Sequence, residues 1–316
     1  MDRPGRTLLF LLGLASALAA YSLCGYVAFI VLPLLGGGAP SHRSALCLLP
    51  AVSLGAVLAT AVWRGGRRLA TQLIVSRRLG KRIEVAAIPH PPRLCAALEA
   101  AGLRDEVDLV DEGGVFSYVH GVLAPRIAIS RGLLESLNDR ELRAALRHEQ
   151  YHVRHLDPLR GMIATAVSDG FFLLPYFGVL RARYEAEREL AADLHSERAC
   201  GRRALLGALV KALEGPYSGQ RFGPSFAAPG LLDARVERLE TGRNPQLFRL
   251  DVFTLASSIY GFVILGALFV LALFGMGGAE MLERVASAEL QTSTGTLSLA
   301  CLFPLIAVPA IALWRH

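Results

Sequence analysis

Lysine is almost missing from this chain. Lys81 and Lys211 are the only two, so the formal charge of +6 rests on arginine. Arginine rich alongside alanine, glycine and leucine fits a compositional bias. No arginine cluster is interleaved with aromatics as a single-strand nucleic-acid platform requires, so nucleic acid is not an expected partner. Cysteine is sparse as well: Cys24, Cys47, Cys95, Cys200 and Cys301 form no C-x-x-C pair. That excludes a disulfide framework and a cysteine-rich zinc site. Charge of either sign is scarce, at 19% of residues against 53% hydrophobic, where soluble domains carry about 25% charged residues. There is no internal repeat and no low-complexity run. These scarcities exclude a disordered chain and argue against an ordinary cytosolic enzyme.

Four stretches contain no charge at all: 8–35, 44–63, 252–274 and 290–313. Each reaches the roughly 20 apolar residues needed to cross a bilayer, and four transmembrane helices are expected there. The first stretch is too long for the apolar part of a signal peptide. Arg64, Arg67, Arg68, Arg77, Arg78, Lys81 and Arg82 follow the second stretch, with Glu84 the lone acid among them. The positive-inside rule places them in the cytoplasm. The segment between the last two stretches, with Glu280, Glu283, Arg284 and Glu289, is net acidic and suits the outside. Both termini are then cytoplasmic. The expected organisation is a transmembrane hairpin over 1–63, a cytoplasmic domain over 64–250 and a second hairpin over 251–316. A fifth apolar stretch, 161–180, carries Asp169 and Pro175 and is followed by many arginines. A core or bilayer-surface helix fits it better than a span.

Within 64–250, residues 65–82 read as a basic helix continuing from the second span. Residues 92–101 read as a short helix stopped by Gly102. Short strands are expected over 107–110, 115–119 and 126–130, together forming a small sheet. Asn138 with Glu141 three residues later forms a capping-box pattern, so a helix is expected over 139–156. Further helices are expected over 181–200, 203–214 and 231–240, with a Gly/Pro-rich loop over 215–230.

His148-Glu149-Gln150-Tyr151-His152 reads H-E-x-x-H. On a helix the two histidines lie one turn apart on one face and can share one ion, at a Zn–N distance of about 2.0–2.1 Å. Glu149 sits beside them, placed to take a proton from an attacking water. Zinc needs a third protein ligand and an open position. No third histidine follows at metzincin spacing, so a carboxylate must come from elsewhere. The 181–200 helix offers Glu185, Glu187, Glu189, Asp193 and Glu197, and helical spacing leaves Glu185 and Glu189 both open. A solvated charged face is the bland reading of these acids.

His148–His152, then Arg154 and Asp157-Pro158, then Glu189-Leu190-Ala191-Ala192-Asp193 resemble the BlaR/MecR-type antirepressor membrane metallopeptidases. The HtpX-type and CAAX-prenyl-protease-type peptidases are similar more distantly. The stretch from Ser117-Tyr118-Val119-His120-Gly121 to Gly132-Leu133-Leu134, and Asn138–Leu142, resemble the strands and approach before that family's zinc helix. The likeness covers about 105–200, with an echo at Arg235–Leu239. It implies a gluzincin-like zinc domain of α+β fold inside a mainly α membrane protein. It also implies Glu189 as third ligand and Asp193 as the residue that holds a ligating histidine. The antirepressors carry an extracellular sensor domain after their last span, and none is expected here.

The expected activity is zinc-dependent endoproteolysis with one Zn²⁺ per chain, held by His148, His152 and Glu189, and with Glu149 as base. Asp157 is a weaker candidate for a structural role at the helix end, and the strand near 115–118 is a candidate for pairing with extended substrate. His120, Tyr184 and Arg235 are candidates for stabilising the developing oxyanion. Expected partners are a protein substrate, such as a transcriptional repressor or another cytoplasmic regulator, and the lipid bilayer. A homo-oligomer is compatible with the sequence. By family analogy the expected location is a prokaryotic inner membrane. Two rivals stand beside this: a membrane-protein quality-control protease, and a non-catalytic membrane scaffold with a vestigial zinc site. Transport is disfavoured, because the charge-free stretches offer no ion path.

Overall fold

The structure is a computed structural model that describes residues 3–27, 45–103, 106–214, 232–242 and 251–275. Its helices are α1 (Arg3–Tyr26), α2 (Ala45–Ala86), α3 (Pro92–Ala101), α4 (Arg131–Ser136), α5 (Asp139–Arg154), α6 (Asp157–Gly170), α7 (Tyr176–Cys200), α8 (Arg202–Glu214), α9 (Leu232–Thr241) and α10 (Val252–Gly275). Four strands accompany them: β1 (Ala87–Ile88), β2 (Val107–Val110), β3 (Ser117–His120) and β4 (Arg126–Ser130). The described residues are thus mostly helical with one small mixed sheet. They divide into two compact units. The first draws on Met1–Leu11, Arg64–Gly170 and Tyr176–Asp251, and the second on Leu12–Trp63, Phe171–Pro175 and Val252–His316.

In the first unit the strand order is β1-β2-β4-β3. β2 runs parallel to β4, with Val107 opposite Ile127. β3 runs antiparallel to β4, with Ser117 opposite Ile129. Side chains alternate across the sheet as strand geometry dictates. Leu109, Ile127 and Ile129 join a core with Leu94 and Leu98 of α3, Leu142 and Leu146 of α5, and Leu205 and Leu209 of α8. Val110, Tyr118 and Ala128 face the other way, onto Ile83 and Leu79 of α2. Both faces are covered, which is why β4 reads as an apolar run without polar alternation.

α5 lies at the centre, packed against α3, α7 and α8 and against the sheet. Its start is set locally. The Asn138 side chain accepts from the amides of Arg140 and Glu141, and Glu141 accepts from the Asn138 amide at 2.8 Å. This capping box satisfies amides that a helix start otherwise orphans. Lys211 of α8 adds a 2.6 Å ion pair to Glu141. α8 comes so close here that a Cβ on Gly207 would stand 2.5 Å from Glu141 Oε1.

Several boundaries differ from expectation. α5 ends at Arg154, and Leu156 just beyond it adopts a left-handed φ of 52°. α7 begins at Tyr176, five residues early. The 161–180 stretch is not one helix: α6 stops at Gly170, turns follow, and α7 resumes after Pro175, which cannot continue a helix from its preceding turn. β1 was not expected, because two residues are too short to carry a strand period. The Gly/Pro-rich 215–230 loop lies outside the described residues.

The four expected spans are not supported. Among the described residues no helix is long and apolar enough to cross a membrane. α10 (Val252–Gly275) coincides with the charge-free stretch 252–274, but α1 starts at Arg3, and α2 runs 42 residues, from the second charge-free stretch deep into the arginine-rich segment. The expected span over 290–313, and most of 27–44, lie outside the described residues. In the second unit, Val52, Val62 and Trp63 of α2 and Phe253, Ile259, Tyr260 and Val263 of α10 are exposed.

Candidate metal centre

α5 carries His148, Glu149 and His152 on its buried side. The one-turn spacing brings His148 Nε2 within 3.2 Å of His152 Nε2. α7 crosses this face, and Glu189 Oε2 stands 3.5 Å from His148 Nε2 and 3.8 Å from His152 Nε2. Ligand atoms of His148, His152 and Glu189 all lie within 4.8 Å of one another. Glu185, the alternative that helical spacing left open, instead pairs with Arg181 along α7.

The other nitrogen of each imidazole is held by a carboxylate. His148 Nδ1 is 3.0 Å from Asp193 Oδ1, and His152 Nδ1 is 2.6 Å from Asp157 Oδ2. A carboxylate accepts only, so each Nδ1 carries the hydrogen and each Nε2 presents a lone pair. Two Nε2 lone pairs and one carboxylate oxygen therefore converge with no donor among them. Such a cluster needs a cation or a proton. Burial opposes protonation of His148, yet Asp193 and Glu189 outweigh it and lift the imidazole to about 9. Burial would also push Glu189 up, but His152, His148 and Arg188 hold its carboxyl well below the usual range.

Charge counting agrees. Glu149, Asp157, Glu189 and Asp193 supply four carboxylates around the histidines, while Arg188 and Arg235 supply two guanidiniums. The carboxylates outnumber the guanidiniums, and buried charges are tolerated only when paired or bound to metal. The residues present therefore fit a divalent cation. Two histidines with one carboxylate match the donor set of catalytic zinc sites.

Glu149 is buried next to His148 in the chain. Its Oε1 accepts a 2.6 Å hydrogen bond from the Ser117 hydroxyl of β3, the outer strand of the described sheet. Ser117 fixes the carboxylate from the strand side, a contact that sequence spacing could not show.

Arg235 of α9 has its guanidinium on Asp193, with Nε to Oδ2 at 2.8 Å and NH2 to Oδ1 at 2.7 Å. This planar two-point grip holds Asp193 near 2 despite burial. Arg235 is thus committed to the carboxylate that holds His148. His120, a second oxyanion candidate, places Nε2 3.0 Å from Asp108, which Arg126 also grips. It is part of a polar cluster tying β2, β3 and β4 together. Tyr184, the third, is buried on α7 one turn before Arg188.

Residues 46–199, just under half of the chain, match the family described as BlaR1 peptidase M56. The chain is also similar to a protease HtpX homolog of Sulfurovum sp. (strain NBC37-1), 31% identical over 62 residues, or 20% of this chain and 22% of that one. Another protease HtpX homolog, from Campylobacter curvus (strain 525.92), is 37% identical over 62 residues with the same shares. The chain therefore spans about a fifth of the length of the curated relatives it matches. These matches show that residues 46–199 are similar to the BlaR1 peptidase M56 family, with a shorter likeness to HtpX-type proteases.

Proposed function

We propose that this protein is a zinc-dependent endopeptidase. The observation that carries this is the convergence of His148 Nε2, His152 Nε2 and Glu189 Oε2, each backed by an oriented charged partner. In this role His148, His152 and Glu189 hold the ion. Bound zinc supplies a Lewis acid that polarises the scissile carbonyl and acidifies the attacking water. Asp193 and Asp157 keep both imidazoles in the tautomer that offers Nε2. Glu149 takes the water proton and passes it to the departing amine. Ser117 holds that carboxylate in place between turnovers. β3, with Ser117 on it, is placed to pair with an extended substrate segment, since strand edges accept a further strand.

The BlaR1 similarity supports a protein substrate that acts as a regulator, or the chain itself. Membrane attachment is supported by the exposed apolar side chains of 52–63 and 252–263, because apolar patches of this kind mark contact with lipid or protein. The arginine-rich 64–82 segment favours the cytoplasmic side for the peptidase unit.

Glu149→Gln tests the mechanism. The variant, purified as the full chain in detergent, should retain one zinc. Its cleavage of itself or of an unstructured protein should fall by roughly 10²–10⁴. Wild-type cleavage by the variant would remove Glu149 from the chemistry. A wild type that takes up no zinc would overturn the metallopeptidase reading itself.

A further inference from the structure

We propose that Arg188 is a positioning residue that restricts Glu189 to one metal-binding oxygen and so keeps a coordination position open for water. This rests on the metallopeptidase reading above. Arg188 NH2 donates to Glu189 Oε1 at 2.9 Å, while Oε2 faces the two Nε2 atoms. A carboxylate can hold a cation through one oxygen or both. Holding it through both would fill the position a hydrolytic zinc site leaves for water.

Three observations separate this from an ordinary surface ion pair. Neighbouring residues on a helix do not face each other, so Arg188 meets Glu189 only because its guanidinium turns back into the site. The same guanidinium leans toward a second carboxylate: Nε is 3.9 Å from Asp157 Oδ2, the oxygen that holds His152 Nδ1. Its Nε is buried with no hydrogen-bond partner among the described residues, a cost that a solvated pair would not carry. α6 also leaves space for it. Gly161 follows Asp157 by one turn, and a Cβ there would lie 3.2 Å from Arg188 NH1. One planar cation thus bonds to the ligand Glu189 and leans toward Asp157, the carboxylate behind His152, a geometry that suits guanidinium better than ammonium.

A role through charge alone makes the opposite prediction. Losing Arg188 leaves the site more negative, so a purely electrostatic role would only strengthen cation binding. A positioning role changes how the cation is held.

The test replaces zinc with Co²⁺ in the full detergent-solubilised chain and reads the visible absorption, which is intense for four-coordinate and weak for five-coordinate cobalt. Wild type is expected to show the four-coordinate spectrum. Arg188→Met removes the donors at similar size. It should shift to the weak spectrum and lose about 10- to 100-fold in kcat with little change in KM. Arg188→Lys can still donate to Oε1 and should keep the four-coordinate spectrum. Thermal melting checks that each variant is folded, and Arg188→Ala supplies the same readout should Arg188→Met not fold. Unchanged spectrum and kcat in a folded Arg188→Met or Arg188→Ala would overturn the inference. A wild type that binds neither Co²⁺ nor zinc would overturn the underlying reading instead.

Discussion

At the residue scale the site depends on pairs rather than on single groups. Asp193 and Arg235 are both almost fully buried and bonded twice. Removing one partner of such a pair costs about 3–5 kcal/mol, because the other charge is left uncompensated. Asp193→Ala should therefore melt far below wild type. Pairing it with Arg235→Met should recover much of that stability, since no buried charge remains. Metal affinity should not recover, because His148 Nδ1 has still lost its acceptor, and such losses cost about 10- to 100-fold. Thermal melting and chelator competition on both variants check this. Equal rescue of stability and affinity would mean that Asp193 serves the fold alone. The H-E-x-x-H residues were legible in the sequence because their geometry is local: one helix turn brings the two imidazoles together. Asp157 was visible only as a candidate for a structural role at the helix end, not as the partner of His152; Ser117 and Arg188 act through tertiary packing or a turned-back side chain, and no spacing rule reveals those. Arg235 was visible as a cation near the end of the domain, but only the fold reveals that its carboxylate is Asp193.

At the element scale, α5 sets the register of the site. Its first turn and its metal face belong to one rigid rod, so the cap acts on chemistry three turns away. Asn138→Ala removes the acceptor for two orphaned amides, and capping losses of this kind cost about 1 kcal/mol. The Glu141–Lys211 pair still restrains the start of α5 against α8, so metal content should be unchanged while the denaturation midpoint drops. A midpoint equal to wild type would show that α8 alone fixes the start. The cap was legible because it is a short sequence pattern. The four-residue strands were legible from their apolar runs and flanking glycines, and β3 was misjudged by two residues at its start. α7 began early because its first turn is apolar and packs through Phe177 and Leu180, a burial that the acid-rich remainder of the helix does not announce.

At the scale of the whole molecule, the metal centre couples folding to pH. In the metal-free protein His148 sits at about 9 against an ordinary 6.5. A raised value stabilises the fold fully below about 6.5, and the contribution is lost as pH rises through about 9. Asp193 sits at about 2 against 3.8. A lowered value stabilises fully above 3.8, and is lost as pH falls toward 2. These two groups thus make the metal-free chain most stable between roughly pH 4 and 6.5. Zinc reverses the alkaline side. A ligating imidazole must be deprotonated, so bound metal competes with the proton and gains as pH rises. A cation at about 100 times its dissociation constant adds about 2.7 kcal/mol to the folded state. Melting curves of the full chain between pH 6.5 and 9 should therefore slope downward with chelator and upward, or stay level, with zinc. Parallel slopes would mean that His148 does not exchange its proton for the metal. Opposed slopes would show that bound metal takes the place of the proton on His148, which ties the stability of the buried cluster to the cation it holds.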